Sequence, residues 1–214
     1  MNLDRLADHI RWGLNVAARS TGSVASAYRP RSAENPLAAE NRFLRLHAAF
    51  SGMGGERSRP NGYGNALWRG VFDAAYTRPG DYLVQDDATW FIAAQPKLLS
   101  ALCVRTNRTI SFSRPAAQTN TGVNSYGGIT AANVTPLMIN WPASVLAATR
   151  EARPLANLPG DISVSIWTVL VPACAGVVLK IADLMSDDLG RSGVVAATEL
   201  SNLGWRLQVR QATT

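Results

Sequence analysis

The residues of this chain whose types and spacing come nearest to chemistry are two adjacent acidic pairs, Asp86-Asp87 and Asp187-Asp188. Paired carboxylates can divide acid and base duties or hold a hard cation. Neighbours on a strand point to opposite faces, however, and aspartate is a preferred turn residue, so each pair reads as a hairpin turn. The two histidines, His9 and His47, stand on separate N-terminal segments with no nucleophile in a recognisable relation to either, so neither reads as a general base. Cys103 and Cys174 lie in apolar, strand-like runs without CxxC or Cys/His spacing. They read as small buried side chains rather than a disulfide or metal set. The patterns G-x-S-x-G, G-x-x-x-x-G-K-[ST], H-E-x-x-H and G-x-G-x-x-G do not occur. The expectation is therefore a protein that is not an enzyme, with no catalytic residue, no metal and no cofactor.

Charge points to surfaces rather than to a reaction. The net charge is +6, and of the 21 basic residues only Lys97 and Lys180 are lysine. Arginine forms bidentate, partly buried ion pairs better than lysine does, which suits protein interfaces as well as nucleic acid. The basic groups are scattered rather than striped, which makes DNA binding a minor reading. No apolar run is long enough for a membrane helix, because Ile166–Ile181 is broken by Pro172, Gly176 and Lys180. The first residues, with Asp4 and Asp8, lack the basic-then-apolar layout of a secretion signal, so a soluble protein made in the cytoplasm is expected.

The elements that would position such surfaces begin with a helix. Leu3, Leu6, Ala7, Ile10, Leu14 and Ala17 recur at spacings of three and four over residues 3–19, with Asn2 placed to cap and Gly22 to close. Trp12 lies off that apolar stripe and is a candidate partner contact. Residues 28–42, with two prolines, read as an extended arm or long loop, and the glycine-rich 51–64 as a loop. Residues 66–76 read as a short helix or a turn and strand. Strands are expected at 81–84, 89–94 and 103–114, with a helical turn over 95–102, then at 162–169, 177–181, 193–197 and 205–209. The polar stretch 115–135 reads as a linker or surface loop. Short strands joined by Gly, Asp and Asn turns imply a small barrel or sandwich. The fold class is thus mainly β with an N-terminal helix (α+β). Its expected parts are a helix and arm (1–64), a first β-unit (65–115), a polar linker (116–135) and a second β-unit (136–214).

The two β-units resemble one another. Gly80-Asp81-Tyr82-Leu83-Val84-Gln85-Asp86-Asp87 and Phe91-Ile92-Ala93-Ala94 have counterparts in Ala182-Asp183-Leu184-Met185-Ser186-Asp187-Asp188 and Val194-Val195-Ala196-Ala197. In each, an aspartate opens an apolar strand, two aspartates turn it, and the return strand ends in Ala-Ala, with offsets differing by one residue. The last strands are matched as Leu102-Cys103-Val104 with Leu203-Gly204-Trp205-Arg206-Leu207.

The segments PGDYLVQDDATWFIAAQP (79–96), VRTNRTISFSRP (104–115) and DLGRSGVVAATELSNLGWRLQV (188–209) resemble small structural proteins of tailed-bacteriophage virions. The opening LDRLADHIRWGLNVAARSTG with YRP (3–22, 28–30), NRFLRL (41–46) and NALW (65–68) fits the same pattern. The resemblance implies a head–tail connector, a neck adaptor or stopper built on small SH3-like β-barrels and forming a ring between portal and tail. Its partners would be further copies of itself, the portal or adaptor and tail proteins, with passing DNA contacted without sequence specificity, and no membrane. A tail or baseplate component for fibre attachment is the alternative, and a basic DNA-binding or regulatory protein the second. The expected location is the virion, after synthesis in the host bacterial cytoplasm. The residues singled out for partner contact are Trp12 and Arg11 on the helix and Tyr28, Arg29 and Arg31 at the start of the arm.

Overall fold

A computed structural model describes residues 3–52, 66–116, 134–148 and 165–212. The first element follows from its periodicity: α1 (Leu3–Thr21) buries Ala7 and Ala18 and packs against the second and third strands. Asp4 in its first turn and Arg19 in its last both suit the helix dipole. The helix stops at Gly22, whose N–H donates to the Ala18 carbonyl at 2.8 Å. The capping expectation on Asn2 lies outside the described residues.

Two closed barrels follow, each of six antiparallel strands among the described residues. The first runs in the order β1 (Ser23–Tyr28), β2 (Arg42–Gly52), β3 (Leu67–Phe72), β6 (Ala101–Arg105), β5 (Ala88–Ala94) and β4 (Tyr82–Gln85). β4 pairs back on β1, with Ala27 opposite Leu83 and Tyr28 opposite Tyr82. The second repeats it strand for strand: β7 (Arg108–Pro115), β8 (Val134–Ala147), β9 (Ile166–Val171), β12 (Gly204–Gln211), β11 (Ser192–Ser201) and β10 (Leu184–Asp187). Its closure sets Phe112 opposite Met185 and Ser113 opposite Leu184. The fold is mainly β with one N-terminal helix, as composition and periodicity implied, and closure removes the exposed sheet edges.

The internal resemblance is carried into three dimensions. Ile92 donates to the Asp81 carbonyl and Val195 to the Asp183 carbonyl, both at 2.9 Å. Each return strand then slips one residue against its neighbour at an alanine, Ala93 in β5 and Ala196 in β11. The residue before each aspartate has a left-handed backbone, Gly80 at φ 93° and Ala182 at φ 71°. The final strands correspond differently from the expected match: Leu102 pairs with Ala94 whereas Gln208 pairs with Ala197, so Gln208 rather than Leu203 is the counterpart of Leu102. A longer two-residue hairpin, with Asn202 and Leu203 at its tip, produces the shift.

Several local expectations are corrected. Of the two readings of residues 28–42, arm or long loop, the structure has the loop: β1 and β2 pair on either side of it, and it ends in a 3-10 turn (Ala39–Asn41) and is anchored to the second barrel. The stretch read as one strand over 103–114 is two, broken at Thr106-Asn107, where the chain leaves the first barrel for the second. The Asn107 side chain bridges the break, accepting from the Val145 N–H at 2.8 Å and donating to its carbonyl at 2.9 Å. Residues 95–100 form a turn rather than helix, and 177–181 carry no strand. The barrel boundaries also depart from the expected parts: β1 and β2 belong to the first barrel, and β7 opens the second. The linker reading of 116–135 falls almost wholly outside the described residues.

Alternation along the strands divides the core. Ala25, Ala27, Leu46, Phe72, Leu83, Trp90, Ile92 and Cys103 fill the first barrel. The outward side chains Tyr82, Phe91, Ala93 and Val104 are buried in a continuous cluster with Ile110, Met138, Trp141 and Val169 of the second. Tyr82 donates to the Pro142 carbonyl at 2.8 Å, and its ring meets Trp141 edge-on at 6.1 Å. Loop residue Ala33 accepts from the Trp141 indole at 2.8 Å and from the Ile139 N–H at 2.9 Å. The equivalents of Tyr82 and Phe91, Leu184 and Val194, are half-buried and exposed respectively, and those of Leu102 and Val104 are the exposed Gln208 and Arg210. The duplicated face is therefore an interface in one barrel and a solvent-facing surface in the other.

Candidate interaction surfaces

The five residues singled out from sequence fall on two surfaces. Trp12 and Arg11 lie on α1, with Trp12 69% exposed and Arg11 in an ion pair with Asp8 at 3.3 Å. Tyr28, Arg29 and Arg31 lie where β1 leaves the first barrel, and Tyr28 packs against the shared core.

Arg29 is held in a bidentate ion pair. Its Nε and Nη2 donate to the two carboxylate oxygens of Asp81 at 2.8 and 2.7 Å, and Nη2 also donates to the Tyr76 carbonyl at 3.0 Å. Arg114 repeats each bond, donating to Asp183 at 2.8 and 2.9 Å and to the Val178 carbonyl at 2.7 Å. The backbone N–H of Arg78 and Lys180, each three residues before its aspartate, completes the two carboxylate shells. The hydrogen bond from each arginine to its aspartate raises that arginine's pKa. Arginine enrichment hinted at bidentate pairing, but nothing local in sequence could join partners this far apart.

A cleft of about 200 Å³ opens between the barrels over the first of these pairs, lined by Arg29, Arg31, Arg78, Asp81, Pro79 and Cys174. Asp81 offsets Arg29, and the Arg78 Nε stands 3.9 Å from the same carboxylate. Arg31 is exposed and in no ion pair among the described residues, so the cleft is net positive. Its chemistry is anion attraction at a solvent-screened surface. Burial pushes the Cys174 thiol up and that of Cys103 up to about 12, the opposite of what a nucleophilic thiolate requires.

The acidic pairs sit where turns were expected. Asp86 and Asp87 turn β4 into β5, with Asp86 at φ 51°. Asp187 accepts from the Leu189 and Arg191 N–H groups and from the Arg191 guanidinium, which itself lies 4.8 Å over the Trp167 ring. His9 and His47 are both exposed, on α1 and β2. Among the described residues no group of three or more His, Cys, Asp or Glu side chains could hold a metal ion, and no helix is long and apolar enough to cross a membrane. Comparison with protein-family models, with curated proteins and with solved structures finds no match for this chain.

Proposed function

We propose that the chain is a structural subunit of a tailed-phage virion, a head–tail connector that forms a ring between portal and tail. One observation carries most of the support. The well-ordered polar groups of the described residues, Arg29–Asp81, Arg114–Asp183, Arg191–Asp187 and Asn107, are spent on holding strands and turns together. The barrels are filled by their own side chains. What remains for function is surface, which is what a subunit clamped between neighbours uses. The SH3-like description of each barrel belongs to this proposal and rests on the resemblance of the 79–96 and 188–209 segments.

The test is position in purified particles. Density or immunogold label at the neck is the expected result, a distal tail location would replace this reading with the tail or baseplate one, and absence from particles would end both. The positive cleft around Arg31 and Arg78 favours a second reading, contact with DNA. It requires retention on DNA at low salt that falls steeply as salt rises.

A further inference from the structure

The outer face of α1 carries a regular seam that is exposed among the described residues. Arg5, His9, Trp12, Val16 and Arg19 follow one another at spacings of four, three, four and three, and all five are exposed. That is the heptad spacing by which one helix presents a stripe to another. The opposite stripe, with Ala7 and Ala18, is already occupied by the first barrel, and Asn15 is tied to Asp73 at 3.3 Å, which sets the rotation of the helix. Trp12 and Val16, 69% and 47% exposed, form the apolar centre of the seam. Arg5 and Arg19 stand at its ends, about 21 Å apart at 1.5 Å per residue, and neither makes an ion pair among the described residues. Of the nearby acids, Asp8 stands 3.3 Å from Arg11 and Asp4 3.9 Å from Lys97.

We infer that this seam docks a helix of another protein, one with apolar residues facing Trp12 and Val16 and acidic residues two heptads apart to meet Arg5 and Arg19. Charge decides between the occupants. Two copies of α1 packed antiparallel would set Arg5 against Arg19, and packed in parallel would set each arginine against itself, so self-pairing is repelled at both ends. A lipid surface gains little from a stripe with two apolar side chains, since interfacial binding scales with buried apolar area. An acidic amphipathic helix satisfies the ends and covers a tryptophan, the residue type that most often dominates such contacts. The inference goes beyond the virion reading and does not depend on it, because the occupant's chemistry is read from the helix alone.

The experiment uses the full purified chain with three probes: a labelled synthetic helix with leucines at heptad spacing flanked by glutamates, its lysine-for-glutamate counterpart, and vesicles containing phosphatidylglycerol. Binding is read by anisotropy, or by sedimentation for vesicles, at roughly 50 mM salt where charge is weakly screened. The acidic peptide binds saturably, Trp12→Ala weakens it about tenfold or more, and the double variant Arg5→Glu/Arg19→Glu transfers preference to the lysine peptide. All three side chains are exposed, so the variants keep the far-ultraviolet spectrum of the parent, with the melting temperature lowered by no more than the few degrees that an acid in the last helical turn costs. No saturable binding, equal binding of both peptides, or binding indifferent to Trp12 overturns the inference. Vesicle binding lost in Trp12→Ala, or a dimer lost in that variant, overturns it in favour of a membrane or a second copy.

Discussion

Arg29 and Asp81, 52 residues apart in sequence, meet across the closing seam of the first barrel in two hydrogen bonds, and Arg114 and Asp183, 69 residues apart, meet across the same seam of the second. Each aspartate side chain is almost wholly buried, at 1% and 2% exposure, and the arginine's paired N–H groups supply hydrogen bonds in place of the lost water. Barrel closure and charge neutralisation are thus one event in each half of the chain.

Removing one partner strands a buried carboxylate. Arg29→Ala and Arg114→Ala each cost about 3 kcal/mol, the lower end for breaking such a pair because the arginines keep partial solvent contact. Replacing Arg29 and Asp81 together by apolar residues of similar size costs less than the arginine change alone. Urea midpoints at constant slope measure both. Loss below about 0.5 kcal/mol for both single changes would mean that the pair is not what holds the seam.

The contact between barrels has its own probe. Tyr82→Phe removes one hydroxyl and leaves the Pro142 carbonyl without its donor, a loss of about 1–3 kcal/mol for a buried acceptor. With Tyr82 and Phe91 buried in one cluster with Trp141, the parent unfolds in a single transition. Two separable transitions in the parent would contradict this coupling.

Thiol chemistry should follow burial. Cys103 is fully buried with its pKa pushed up to about 12, and Cys174 is half-buried with its own raised. At pH 8 a disulfide reagent reacts slowly with one thiol per native chain and with two after denaturation. Fast modification of both in the native protein would show the first barrel to be open at Cys103.

Asp187 gives acid sensitivity a defined sign. Burial raises its pKa, but hydrogen bonds from the Arg191 side chain and backbone and from Leu189 outweigh that, leaving it below its ordinary 3.8. A depressed carboxylate contributes stability that is fully present above the unfolded value and lost as pH falls through the folded one. Asp187→Asn is therefore less stable than the parent at pH 7, and the gap narrows below about pH 4. A gap independent of pH would assign the cost to the turn rather than to the ion pair.

Local rules alone determined much of this protein. The three-and-four spacing from Leu3 to Ala17 specified the helix, and Trp12 was marked by lying off that stripe. The aspartate-led hairpins at Asp81 and Asp183 were readable because aspartate and positive-φ turns act over a few residues, and the same short range made the internal resemblance visible. Only the tertiary structure decided which strands close which barrel. β1 is claimed by β4 across more than fifty residues, and the stretch from Cys103 to Arg114 reads as one strand although Asn107 ends one barrel and begins the next. Pairing of that kind is set by which faces bury one another, not by local propensity. The same cause set Arg29 in a bidentate pair with the buried Asp81, and left the stripe around Trp12 facing solvent.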